Sequence, residues 1–236
     1  MKILICKFCK KKIQYHNSCI TNQSQEHGFK FENIIREDVF DLPVEKNNID
    51  IHDIPKKKNK YNNNENCSIK TTCGTTIYCS DIQRFYNYNF EEKNTIIVVK
   101  CKQLQNIKKI VKIYEINYNA ECHRYLFGNL TKKIIEDYVK NVKSIPKNIN
   151  NKNAKKHFDY LVEKKNLETN YKCKIQINPK IDSKEQRRVQ CSITNFETIL
   201  KKFIIYESSI ECPNLLRGKK IKKIIESPKR KRNKKI

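Results

Sequence analysis

The sequence predicts an α/β (α+β) chain, a mixed sheet flanked by helices with a small N-terminal Cys-rich module in front of it. Three observations carry that reading. Residues 49–54 alternate Ile-Asp-Ile-His-Asp-Ile, the period of a half-buried strand. Residues 96–101 (Ile-Ile-Val-Val-Lys-Cys) and 107–117 are β-rich apolar runs, of the kind that fills central strands. Residues 132–142 instead place Ile134, Ile135, Tyr138, Val139 and Val142 on one helical stripe.

Taken in order, Cys6-x-x-Cys9 followed by His16 and Cys19 offers four soft ligands within fourteen residues, a candidate zinc knuckle in which His27 is an alternative to His16. Unliganded cysteines are the competing reading. Phe31, Ile34, Ile35 and Val39 then form the apolar face of a helix that ends before Pro43. Glu32, in its first turn, either complements the positive end of the helix dipole or points toward the strands that follow. The strand at 49–54 stops at Pro55 with Asp53 near its end, and the Lys/Asn-rich residues 56–66 read as a mobile hairpin loop. Residues 67–72 make a second strand, Gly74 a turn and residues 75–79 a third. Ser80 is the expected N-cap of a helix at 81–88 that buries Ile82, Phe85 and Tyr86.

Beyond the paired runs at 96–101 and 107–117, Thr131 caps a helix over 132–142 that Pro146 ends. A further helix at 154–167 is expected to bury Phe158, Leu161 and Val162. Residues 171–180 and 186–193 alternate as a hairpin with a basic face, and 196–206 is another apolar segment. From 219 to 235 the chain holds ten Lys/Arg and one acid. The expected division is a knuckle segment at 1–27, a main domain at 28–216 and a basic disordered tail at 217–236.

Charge bounds the partners. With 50 Lys+Arg against 25 Asp+Glu, the formal net charge is +25, a field that attracts polyanions, DNA above all. No run approaches the roughly 18 apolar residues of a membrane span. The N-terminal apolar run is too short for a secretory signal, so an intracellular location is expected. Eleven cysteines suit reduced thiols or a metal site better than a disulfide framework. The tail, Pro228-Lys-Arg-Lys-Arg-Asn-Lys-Lys, reads as a nuclear import signal or as a DNA-gripping arm.

Phosphodiester hydrolysis needs carboxylates to hold Mg²⁺, a cation near the scissile phosphate and a positioned water. Asp53 and Asp81 are the candidate Mg²⁺ ligands and Lys70 the candidate phosphate partner. Asp50, three residues before Asp53, belongs to the opposite face of the strand. An ordinary surface ion pair between Asp53 and Lys70 is the competing reading.

Asp53 followed by Ser68-Ile69-Lys70 resembles the signature of the PD-(D/E)xK nucleases, an acid on one strand and acid-x-lysine on the next. Two departures stand out: Pro55 follows the acid instead of preceding it, and Ser68 stands where an acid usually does. The resemblance, to a Ser-x-Lys variant of the type II restriction endonucleases, implies that Asp81, eleven positions after Lys70, supplies the missing acid. It also implies that Glu32 is the accessory acid of the first helix. It covers roughly residues 28–117 and implies a restriction-endonuclease-like sheet, Mg²⁺-dependent cleavage of duplex DNA, and a homodimer with two active sites. By a looser likeness the hairpin bearing Lys180, Arg187, Arg188 and Gln190 reads as the target-reading part. Arg and Gln suit guanine and adenine edges and Lys suits phosphate, whereas a solvated charged hairpin is the plain alternative. The competing function is a non-catalytic, zinc-containing nucleic-acid-binding protein, and a third is a nuclease for structured or damaged DNA.

Overall fold

The computed structural model describes residues 3–5, 12–14, 23–44, 51–147, 159–181 and 186–227. Cys6, Cys9, His16, Cys19, His27 as a side chain, Asp50 and the residues from 228 onward lie outside that description, as do the expected contacts of Phe158, Leu161 and Val162.

Strands β1 (Ile3–Ile5) and β2 (Lys12–Gln14) pair antiparallel ahead of helix α1 (Gln23–Asp38). Phe31, Ile35 and Val39 of that stretch are fully buried and Ile34 packs beside them, the face expected from their spacing. Next come β3 (Glu65–Thr72), β4 (Ile77–Asp81), the short helix α2 (Ile82–Tyr86), β5 (Lys93–Leu104) and β6 (Ile107–Asn117). Helices α3 (Ala120–Phe127), α4 (Lys132–Ser144) and α5 (Asp159–Asn170) follow. Then come β7 (Gln176–Ile181), β8 (Arg187–Ile193), α6 (Phe196–Ile199), β9 (Ile204–Glu207), β10 (Leu215–Leu216), β11 (Lys219–Lys220) and β12 (Ile224–Glu226).

Two larger sheets result. In the first the order is β12-β6-β5-β3, with β9 also pairing β6. Strands β9 and β12 occupy successive stretches of one β6 edge, because β12 meets 107–109 and β9 meets 114–116. The second sheet is β4-β8-β7. One apolar core lies between the sheets and under α2, α3 and α4, joining Ile96, Val98 and Tyr114 to Ile77, Val189 and Cys191. The other lies on the opposite face of the first sheet, where Ile97, Val99 and Ile113 meet α1 and the C-terminal Leu216, Ile221 and Ile225.

Several expectations are corrected. The three-stranded meander does not form: β3 pairs parallel with β5, while β4 leaves to pair with β8. Burial explains it, since β3 is covered on both faces along most of its length, the environment of a parallel central run rather than of a hairpin arm. The strand expected at 49–54 is, among the described residues, a single antiparallel bridge between Ile54 and Cys67. Residues 56–66 are not a loose loop. Buried Asn59 receives Tyr61 N at 3.0 Å on Oδ1 and donates through Nδ2 to Glu65 O and Oε2 at 3.0 Å. Ser80 has φ 70, and the N-cap of α2 is Asp81. Helix α3 was not expected, although Asn119 caps it and Gly128 closes it. Nor is 217–227 a disordered tail, for it supplies β11 and β12 and buries Ile221 and Ile225 in the second core.

Candidate active site at the edge of strand β3

The residues before Pro55 lie alongside β3, and side chains replace the missing ladder. Asp53 Oδ2 accepts the Ile69 backbone N–H at 2.5 Å, and the Asp53 carbonyl accepts from Arg36 Nη1. Arg36 is 1% exposed and also donates to the Pro43 carbonyl at 3.4 Å, so α1 holds Asp53 in place. One residue further along β3, Lys70 Nζ stands 3.5 Å from the same Asp53 oxygen. Glu32 enters from α1, one turn before Arg36.

Burial, and then the charge of Asp53, raises the Glu32 pKa to about 7, while Lys70 and Arg36 act the other way. Burial opposes the charge of Lys70, yet Asp53, Tyr88, Cys79 and Glu32 keep its pKa above the ordinary lysine value. A lysine held in its charged form therefore sits 3.5 Å from the Asp53 carboxylate and near a glutamate that changes charge near neutrality, a pattern typical of functional sites.

Ser68 is on the same face of β3 as Lys70, two residues earlier. Its Oγ lies 3.0 Å from Tyr88 Oη and 3.4 Å from His52 Nδ1. The His52 ring packs edge-on against Tyr88 with centroids 4.6 Å apart. Burial holds the His52 pKa below the ordinary value, against the pull of Asp53 and Glu92. Burial likewise raises Tyr88, with Lys70 and the Ser68 hydrogen bond opposing. Ser68, 2% exposed, thus anchors a hydroxyl and imidazole network in the position where an acid was considered.

Sequence reasoning placed Asp53, Lys70 and Glu32, and the structure brings these three together. Asp81 caps α2, where its Oδ1 accepts Gln83 N at 3.0 Å and Arg84 N at 3.1 Å. Among the described residues no group of three His, Cys, Asp or Glu is arranged to hold a metal ion. Arg36, His52 and Tyr88 were missed. The first two carried a signal, as Arg36 lies one turn after Glu32 and His52 precedes Asp53, but Tyr88 carried none.

The basic hairpin divides by strand alternation. Lys180 pairs with Arg188 and Asn178 with Gln190, so Lys180, Arg188 and Gln190 share one face. Arg187 belongs to the other face and closes the end of α4, donating through Nε to Ile145 O at 3.0 Å and through Nη2 to Pro146 O at 2.5 Å. It is a structural clamp in this fold, not a base-reading arm held toward solvent.

No family model, curated protein or solved structure matches this chain. The site must be read from its own geometry. No helix among the described residues is long and apolar enough to cross a membrane.

Proposed function

We propose that the chain is a phosphodiester hydrolase of the PD-(D/E)xK type acting on duplex DNA, with Glu32, Asp53 and Lys70 as its working residues. The observation that carries the reading is the convergence of Lys70 with Asp53 at 3.5 Å beside a Glu32 whose pKa is about 7. The local topology supports it as well: the segment bearing Asp53 meets β3 in an antiparallel bridge, and β3 reaches its parallel neighbour β5 by way of β4, which joins the other sheet, and α2. The charge of +25 supplies the attraction to a polyanion.

In this mechanism Lys70 Nζ neutralises the developing charge on a phosphate oxygen. Asp53 fixes the ammonium in place, its own position set by Ile69 N and Arg36. Glu32, close to half-ionised at neutral pH, accepts the proton of the attacking water, the role that favours a pKa near the working pH. Ser68, His52 and Tyr88 support the Lys70 face. Mg²⁺ is commonly held by one or two carboxylates together with substrate phosphate and water. Asp53, with Glu32 near it, would hold such an ion. When bound, the ion would act as a Lewis acid on the phosphate. Cutting both strands calls for two such sites, hence a homodimer on DNA.

Incubating the purified chain with long duplex DNA and Mg²⁺, then sequencing the ends, tests the reading. Cleavage abolished by Lys70→Ala and by Asp53→Ala supports it, and cleavage that survives both refutes this site. The use of Asp81 as a helix cap favours one other reading, a non-catalytic nucleic-acid-binding protein. That reading predicts salt-sensitive DNA binding with no Mg²⁺-dependent product.

A further inference from the structure

Two cysteines at the end of β3 stand apart from the other thiols. Cys73 is exposed and directly follows β3, while Cys101 is 2% exposed in the β5 wall of the second core. Their sulfurs lie 2.9 Å apart. The last ladder pair between the two strands is Thr72 with Lys100, so Cys73 and Cys101 continue it as neighbours. Hydrogen-bonded strands are about 4.8 Å apart, within the Cα separation of about 4.4–6.8 Å that a disulfide spans.

We propose that Cys73 and Cys101 form a reversible dithiol–disulfide site, closed by exchange with low-molecular-weight disulfides such as oxidised glutathione. The two thiols are unequal in the way such exchange requires. The Cys101 S–H hydrogen bond, and then the charge of Lys108, lower the Cys73 pKa to about 6 against the effect of burial. Its hydrogen bond to Cys73 and its burial raise Cys101 well above the ordinary thiol value. Cys73 is therefore the attacking thiolate and Cys101 the resolving thiol.

The Cys73 thiolate attacks one sulfur of oxidised glutathione, forming a mixed disulfide and expelling a glutathione thiolate. Cys101 then loses its proton to solvent, and its Sγ attacks Cys73 Sγ and expels the second glutathione. Two protein thiols are oxidised by two electrons in all, and one glutathione disulfide is reduced to two thiols. The new bond ties the strand carrying Ser68 and Lys70 to β5 three residues beyond Lys70. Among the described residues Cys79 and Cys191 are also close to each other, but at 4% and 0% exposed they are out of reach of an incoming disulfide.

The full chain, reduced and then exposed to graded ratios of reduced to oxidised glutathione, is read by intact mass and by non-reducing peptide mapping. The expected result is a loss of about 2 Da, for the two hydrogens removed by exchange, a cross-linked peptide pair containing Cys73 and Cys101, and reversal by dithiothreitol. Cys101→Ser is expected to stop at a glutathione adduct on Cys73, and Cys73→Ser to show neither product. A wild-type chain that stops at the mixed disulfide overturns the proposal. So does a cross-link mapping to Cys79 and Cys191, or no change in mass.

Discussion

Arg217→Met removes the most deeply embedded cation that the C-terminal segment contributes. Arg217 Nη1 and Nη2 reach the two Glu65 carboxylate oxygens at 2.9 Å and 3.1 Å, and Nε reaches Glu115 Oε1 at 2.6 Å. The guanidinium lies over the Phe40 and Tyr61 rings, 5.3 Å and 5.4 Å from their centroids. The side chain of Glu65 is 2% exposed. Burial alone would raise its pKa, but hydrogen bonds from Arg217 and Thr95 and the Arg217 charge bring it from 4.5 down to about 2. At about 1.4 kcal/mol per pH unit, that difference is worth about 3 kcal/mol, in line with the about 3–5 kcal/mol lost when a buried pair is broken on one side. The folded value lies below the unfolded one, so this stability is complete above pH 4.5 and is lost as pH falls toward 2. In Arg217→Met the buried carboxyl has lost its main partner and its pKa rises. The deficit is then greatest at neutral pH and shrinks as acid protonates Glu65. Urea unfolding of both proteins from pH 7 to pH 3 measures it. A deficit under about 1 kcal/mol at pH 7, or a gap that stays constant with pH, refutes the argument.

Glu32→Gln tests the site without substrate. Because the folded pKa of about 7 lies above the unfolded 4.5, wild-type stability falls as pH rises through that window. The variant is expected to lose this slope and to unfold at higher temperature than wild type above pH 7; thermal melts that run parallel at every pH would contradict the raised Glu32. Asp81→Ala is expected to cost about 1 kcal/mol, as loss of an N-cap does, and to leave cleavage unchanged. A large loss of cleavage with unaltered stability would return Asp81 to the chemistry. At Gly128, with φ +58, an added Cβ meets Tyr171 O at 2.1 Å. Gly128→Ala is therefore expected to cost about 2 kcal/mol or more, and a melting temperature equal to wild type would refute that packing.

The elements with a strong apolar period were legible from the sequence. The stripe in α4 and the face of α1 are buried where their spacing put them, and the runs that became β5 and β6 pair antiparallel from Thr95–Asn117 to Leu104–Ile107. Alternation does not name a strand's partner, so β3 and β4 were assigned to one hairpin although they serve different sheets. At a helix start, the aspartate that caps and the aspartate that binds metal are the same letter, which is why Asp81 was read chemically. Charge misled at the C-terminus: the lysines between 219 and 223 drew attention away from Ile221 and Ile225, both buried. The placing of Glu32 with Asp53 and Lys70 came from the family resemblance, since the residues alone left Glu32 open between a helix-dipole role and one directed at the strands. The Tyr88 contact depends on tertiary packing alone.

The clamp on Glu65 has a temporal side. Glu65 and Arg217 are 152 residues apart in the chain, and strand β12, which completes the β6 edge, lies later still. A ribosome extending the chain at about 5–20 residues per second takes about 8–30 s to travel from one to the other. During that interval the 107–109 stretch of the β6 edge is open and the acid at the start of β3 lacks its guanidinium, so the sheet bearing the candidate site is stapled shut only when the segment that looked like a tail has emerged.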